Sequence, residues 1–234
     1  MEGDADIASV AALIGDPGRA RVLRALGDGR ALAATVLAYE AGVAASTASE
    51  HLTRLVDGGL LRVEARGRHR YYRLAGPQVG AALEALSQVA RPEPVRSLRA
   101  GSRAAALRYA RSCYDHLAGR LGVALMDALL RDGALTGDED GYELSERGRR
   151  LVVDLGVPLP AGRRRLVRHC VDWSEQRPHL AGALGAAVLA RLLELGWVER
   201  APRGRALLVT ERGARELAGR LGVDVPAQIS ARSA

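Results

Sequence analysis

Residues 46–74, STASEHLTRLVDGGLLRVEARGRHRYYRL, decide the fold of the N-terminal part of the chain. In the first part, 46–57, Ala48, Leu52, Leu55 and Val56 recur at the spacing of one helix face. Ser46, Thr47, Ser49, Glu50, Thr53 and Arg54 fall off that apolar stripe. Gly58-Gly59 ends the helix, and Leu60–Glu64 then reads as a strand. Its antiparallel partner is Tyr71–Leu74, and the tip between them is Arg66-Gly67-Arg68-His69-Arg70. Working backwards, 31–41 reads as a helix closed by Gly42 at a left-handed position. A helix at Arg19–Leu26 is separated by Asp16-Pro17-Gly18 from a short apolar helix over 7–14. Working forwards, Pro77 opens a helix to about Ala90, and 91–102 begins with two prolines and reads as a linker. The expected domains are 1–90, a winged helix-turn-helix, and 103–234, with the fold mainly α with short β hairpins (α+β).

A helix that enters the major groove buries one face and offers short polar or basic side chains on the other. Helix 46–57 meets that requirement, and the adjoining hairpin supplies Arg66, Arg68, His69 and Arg70 for phosphate or minor-groove contact. His51 either donates to a phosphate or packs against its own helix. The expected DNA-contacting set is therefore Ser46, Thr47, Ser49, Glu50, His51, Thr53, Arg54, Arg66, Arg68, His69 and Arg70. Charge agrees locally rather than globally. The net charge is +7, and all 34 basic residues are arginine. Residues 1–90 are neutral, with ten Arg against ten Asp and Glu, yet six of those Arg fall within 54–73. Arginine forks onto phosphates and guanine edges better than lysine.

Several of these residues carry a family resemblance: Ala41-Gly42-Val43, Thr47-Ala48-Ser49-Glu50-His51-Leu52, Leu55 with Gly58-Gly59-Leu60-Leu61, and Gly67-Arg68-His69-Arg70-Tyr71-Tyr72-Arg73-Leu74. Residues 17–90, about a third of the chain, resemble ArsR/SmtB-type winged-helix regulators. The resemblance implies a homodimer pairing through its first and fifth helices. It also implies recognition of a near-palindromic operator in double-stranded DNA, usually to repress. Two departures stand out. Ala44 replaces a frequent Ser cap, leaving Ser46 to cap one turn later. The Cys-x-Cys pair of the metal-sensing members is missing, since 33–38 reads AATVLA. The long C-terminal part resembles the extension of a larger ArsR subgroup.

That C-terminal part contains a repeat. His116-Leu117-Ala118-Gly119-Arg120-Leu121-Gly122 returns as His179-Leu180-Ala181-Gly182-Ala183-Leu184-Gly185. Leu129-Leu130 with Gly133, Glu146-Arg147-Gly148 and Leu155-Gly156-Val157 return as Leu192-Leu193 with Gly196, Glu211-Arg212-Gly213 and Leu221-Gly222-Val223. The region therefore reads as two degenerate winged-helix-like units. A cysteine precedes the repeated element each time, in Cys113-Tyr114-Asp115-His116 and in Cys170-Val171-Asp172-Trp173, the latter followed by His179. On a helix, the three-residue spacing would put Cys113 and His116 on one face. Thiolate with imidazole suits a thiophilic metal or arsenic(III), so Cys113, His116, Cys170 and His179 are metal candidates; buried packing is the alternative. Gly119 with Gly122, and Gly182 with Gly185, imply close approach inside helices, to a neighbouring helix or to a ligand. Trp173 is a pocket candidate with Gly119 and Gly182, whereas Trp197 opens a strand in the core. The tip 136–141 is acidic, and Arg200 to Arg205 is basic enough to touch DNA.

The expected function is a DNA-binding transcriptional regulator, a repressor relieved by an unknown effector. Two alternatives stay open: a thiophilic metal, arsenic(III) or redox sensor using Cys113 and Cys170, and an architectural DNA-binding protein without an effector. Cys–His pairs could be assembled as nucleophile and base, but nothing fixes an oxyanion site or a phosphate loop, so no enzyme and no catalytic residue is expected. No cofactor is expected beyond that possible metal. Two cysteines make no disulfide framework, no apolar run reaches membrane length, and the acidic start shows no secretory signal. The expected address is the cytoplasm.

Overall fold

Asp16 accepts a hydrogen bond from the Arg19 N–H at 2.8 Å and, with Pro17 behind it, starts the helix that organises the N-terminal core. The computed structural model describes residues 4–224 apart from 68, 92, 96 and 139. The elements of the N-terminal unit are α1 (Ile7–Ile14), α2 (Pro17–Ala25), β1 (Leu32–Ala33), α3 (Ala34–Ala41), α4 (Ala45–Asp57), β2 (Leu61–Arg66) and β3 (His69–Leu74). Val22 and Leu23 of α2, Leu37 of α3, and Leu52 and Leu55 of α4 are completely buried together with Leu26. Gly42, at φ +66, closes α3 in the left-handed conformation that makes the turn into α4.

Strands β2 and β3 pair antiparallel from Leu61↔Leu74 to Arg66↔His69. This hairpin is two residues longer towards its tip than sequence alternation indicates. A further strand appears where a helix is expected to begin. Leu32 and Ala33 pair with Tyr72 and Tyr71, giving the sheet order β1-β3-β2. A two-residue strand has no period to read, and its existence depends on the open edge that β3 offers it.

The chain divides into two compact units between Leu83 and Glu84, inside α5 (Pro77–Val89), rather than at residue 90. The expected linker 91–102 is also too long, because α6 (Leu98–Tyr109) starts within it, capped by Ser97. In the second unit two runs of elements follow in the same order. The first is β4 (Arg111–Cys113), β5 (His116–Ala118), α7 (Arg120–Arg131), β6 (Leu135–Asp138), β7 (Gly141–Leu144) and α8 (Glu146–Asp154). The second is β8 (Arg168–Val171), β9 (Pro178–Ala181), α9 (Gly182–Glu194), β10 (Val198–Arg200), β11 (Leu207–Val209) and α10 (Glu211–Leu221). Packing is reciprocal, with α7 against β9, α9 against β5, and β5 beside β9.

Hairpins therefore precede α7 and α9, where the sequence suggests helix. The glycines explain the difference. Gly119 (φ +80) and Gly182 (φ +82) turn the chain from strand into helix. A Cβ on Gly119 would lie 2.8 Å from the Arg108 carbonyl oxygen, and one on Gly182 would lie 2.7 Å from that of Leu166. These two glycines are thus helix starts rather than helix-interior contacts.

The last helix of each run begins alike. Ser145 Oγ donates to Gly133 O and accepts from the Gly148 N–H, and Thr210 Oγ1 donates to Gly196 O and accepts from the Gly213 N–H. A Cβ on Gly213 would stand 1.8 Å from the backbone oxygen of the buried Trp197. Gly213→Ala is expected to destabilise this unit by roughly 1–3 kcal/mol. Gly219→Ala, with open space at the same helix, is expected to stabilise by up to ~1 kcal/mol. Urea midpoints of the two variants check the opposite signs.

Candidate functional site

In the N-terminal unit α4 turns Ala48, Leu52 and Leu55 inwards, which leaves Ser46, Ser49, Glu50, Thr53 and Arg54 exposed and Thr47 half-buried. Ala44 stands at the N-cap and supplies no side-chain cap. Ser46 does not cap either, because the helix already begins at Ala45 and includes it. The amides of the first turn thus have no side-chain acceptor and are available to an anion.

His51 packs against another helix rather than only against its own. Its Nε2 lies 3.6 Å from Asp16 Oδ1, and a Cβ on Gly18 would stand 2.6 Å from that nitrogen. His51 is therefore half-buried beside the start of α2 rather than on the fully exposed face of α4. Asp16 is held below the usual carboxylate range, first by the Arg19 amide and then by this imidazole.

The β2–β3 hairpin carries exposed Arg62, Arg66, His69, Arg70 and Arg73; Arg68 lies outside the described residues. Arg62 and Arg73 face each other across the ladder, like charges on adjacent strands. Glu64 offsets them, accepting from Arg73 at 2.6 Å and from Arg66 at 3.1 Å. Those two arginines hold the Glu64 carboxyl below its ordinary value. Arg66 also lies over the Tyr71 ring, 5.3 Å from its centroid. The hairpin is a cationic arm with a stiffened base.

The second unit brings the four sulfur- and imidazole-bearing candidates together, though not on a helix. Cys113 and His116 are cross-strand partners on β4–β5, and Cys170 and His179 are cross-strand partners on β8–β9. The Sγ atoms of the cysteines and a ring nitrogen of each histidine all lie within 4.8 Å of one another. The two imidazoles stack with centroids 5.1 Å apart and planes 27° off parallel. The neighbouring Cys170 thiol, reinforced by burial, pushes the Cys113 thiol up to about 12, while Cys170 is lowered by Cys113. Burial opposes charge on His116, but Asp115 and Cys113 outweigh it and raise its pKa to about 9.

Two aspartates flank the cluster. Asp115 Oδ1 lies 3.3 Å from His116 Nδ1 and 3.1 Å from Arg164 Nη2. Asp172 is fully buried and accepts from Arg111 at 2.9 Å, from the Gly119 N–H at 2.6 Å, and from Ser174 and the Glu175 N–H. Burial works against ionisation of Asp172, but Arg111 and the Ser174 and Gly119 hydrogen bonds prevail and lower its pKa to about 2. Arg111 is itself fully buried, 3.7 Å from Glu84 Oε2, and Glu84 also accepts from Arg205.

Composition gave no hint of this buried charge network. In sequence Asp172 stands out only as a neighbour of Cys170, and Arg111 does not stand out. The network also engages two arginines of the last basic tip, while Arg203 there is exposed. Arg205 is committed to Glu84, and Arg200 donates to Ser112 Oγ at 3.2 Å.

Of the pocket candidates, the two glycines are placed differently from expectation. Trp173 lies under the Arg111 guanidinium, 4.6 Å from its ring centroid, and Gly119 and Gly182 are helix starts. A surface cavity of about 360 Å³ lies along Pro160, Ala161, Gly162, Ala183 and Ala186. Among the described residues no helix is long and apolar enough to cross a membrane.

Known proteins resemble this chain at two scales. A family model described as a helix-turn-helix domain matches residues 14–64, from the end of α1 to the middle of β2. Among solved structures, the homodimeric winged helix-turn-helix domain of Mb0332 from Mycobacterium bovis, a possible ArsR-family regulator, is 32% identical. That match covers 38% of this chain and 88% of that one, with a TM-score of 0.32. The cadmium sensor CMTR from Mycobacterium tuberculosis is 33% identical over 40% of this chain and all of its own, with a TM-score of 0.32. The likeness that spans both units is to YdfF of Bacillus subtilis (strain 168), an uncharacterized HTH-type transcriptional regulator. It is 40% identical over 211 residues, 89% of this chain and 93% of the relative. With the helix-turn-helix in place and this identity running through both units, the chain belongs to the HTH-type transcriptional regulators.

Proposed function

We propose that the protein is a sequence-specific reader of double-stranded DNA, an ArsR-type repressor that works as a homodimer and is released by an effector. The observation that carries this reading is the exposed polar face of α4 beside a cationic two-stranded arm. The first turn of α4 supplies side chains of base-reading size, and the arm supplies phosphate contacts. Glu50 has the acceptor chemistry to take a hydrogen bond from a cytosine amino group.

The dimer is supported by apolar side chains on the helices that the family resemblance pairs. Ile7 and Val10 of α1 are 75% and 40% exposed, and Leu86 and Val89 of α5 are 47% and 82% exposed. Burial of such side chains against a second copy is favourable by about 25 cal/mol per Å². The second unit is proposed to be a duplicated, winged-helix-like module that receives the effector. The shared order of its two runs supports this. Its hairpin tips make poor DNA arms: 136–141 is acidic, and Arg205 is already paired within its own unit.

The test is sequence selection by α4. Thr47→Ala and Ser49→Ala are expected to change the preferred bases in a selection from random duplexes. A lost base contact is worth roughly 1–3 kcal/mol at its position. Uniform weakening with an unchanged preference would assign both side chains to phosphate and defeat the base-reading role.

A further inference from the structure

We propose that Cys113, His116, Cys170 and His179 form a tetrahedral S2N2 site for one thiophilic divalent cation of the zinc class. The proposal does not depend on the reading of α4 as a DNA interface.

Geometry is the first support. In a two-stranded antiparallel ladder, directly opposed residues project from the same face. Each hairpin therefore presents one thiol and one imidazole side by side, and the two hairpins meet through β5 and β9. Tetrahedral bonds of about 2.0–2.3 Å set ligand–ligand separations of roughly 3.3–3.8 Å. The four donor atoms, none more than 4.8 Å from another, reach that geometry with side-chain movements of about an ångström.

The glycines that follow each hairpin make the approach possible. A Cβ on Gly122 would lie 3.6 Å from the Cβ of His179, and one on Gly185 would lie 3.2 Å from the Cβ of His116. Each helix thus gives up a side chain where the histidine of the other run comes in. The same substitutions would strike Leu117 O at 2.5 Å and Leu180 O at 2.7 Å.

Unpaired polarity is the second and independent support. His179 is 0% exposed, and neither of its ring nitrogens has a hydrogen-bond partner. His116 is 7% exposed, and its Nε2 is also without a partner. A buried polar atom left unpaired costs roughly 1–3 kcal/mol, which metal ligation would remove for one nitrogen of each ring. The carboxylates near the cluster face the imidazoles from outside, Asp115 beside His116 and Asp172 Oδ2 4.0 Å from His179 Nδ1. Asp115 orients His116 through Nδ1 and so leaves Nε2 as the ligating nitrogen, the usual arrangement around a metal-bound imidazole. Asp172 is saturated by Arg111, Gly119, Ser174 and Glu175. The donors that remain are two sulfurs and two imidazole nitrogens, a set that selects zinc-like ions over magnesium or calcium.

Titration of the full chain with Co2+ under reducing conditions is the test. The expected result is the intense visible spectrum of tetrahedral cobalt with a thiolate charge-transfer band, saturating at one ion per chain and erased by Zn2+. Cys113→Ser and Cys170→Ser are each expected to weaken binding by more than the roughly 10- to 100-fold typical of an outer-shell partner. A weak octahedral spectrum, or an unchanged band when both cysteines are replaced, would overturn the site. The wild-type chain supplies a test that needs no variant. One equivalent of Zn2+ should protect Cys170, the less buried of the two thiols, from alkylation, and a chelator should restore its reactivity. Alkylation that proceeds equally fast at saturating Zn2+ overturns the proposal.

Discussion

Replacing Arg66, Arg68 and Arg70 together by alanine is expected to weaken binding to every duplex alike, by roughly a hundredfold at moderate salt. The reasoning starts from the ladder. Arg66 and His69 are the last register pair of the hairpin, and Arg70 pairs with Ala65 next to them. Contacts from such an arm go to phosphates, and each one releases counterions. Loss of three should therefore reduce the slope of log K against log salt by about 3. Arg66 serves as an internal comparison, because its pairing with Glu64 and Tyr71 engages part of its charge. Arg66→Ala alone should cost less than Arg70→Ala. An unchanged salt slope in the triple variant would show that the hairpin does not touch DNA.

Arg111→Met is expected to lower the stability of the second unit by about 3–5 kcal/mol, the cost of breaking a buried ion pair from one side. Arg111 is fully buried between Asp172 and Glu84, and its guanidinium caps Trp173. Methionine preserves much of the volume but leaves the Asp172 carboxylate facing an apolar neighbour. Arg147→Ala is the control. Its partner Asp132 lies at the surface, where solvent already screens the pair, so its urea midpoint should hardly move. A small effect of Arg111→Met would mean that the amides around Asp172 suffice to hold its charge.

The N-terminal unit was legible because its signals are local. The stripe Ala48, Leu52 and Leu55, the closing Gly42 and the two-glycine stop each act within a turn of chain, and all appear where read. β1 was not legible, since it exists only through pairing with β3. The role of His51 was not legible either, because Asp16 and Gly18 lie far from it in sequence. In the second unit the sequence singles out Cys113, His116, Cys170 and His179 but not the hairpins that carry them. Three-residue spacing suits a helix face, and it suits a tight hairpin equally well, because cross-strand partners on either side of a two-residue turn are also three apart. The deciding feature was Gly119, whose positive φ ends the strand. Arg111 was missed because charge on a sequence reads as surface, and burial becomes visible only once Asp172 and Glu84 converge on it.

The crossed packing of α7 on β9 and α9 on β5 determines the order in which the second unit is able to fold. Its defining contacts join residues some sixty positions apart, so chain-closure entropy must be overcome before those contacts reward it. Neither run completes its own core. A nascent chain that has reached only α8 still lacks the helix that covers β5, and closure waits until α9 has left the ribosome. The second unit therefore assembles late and as one cooperative block, whereas the N-terminal unit, with its short-range contacts, is complete far earlier in synthesis.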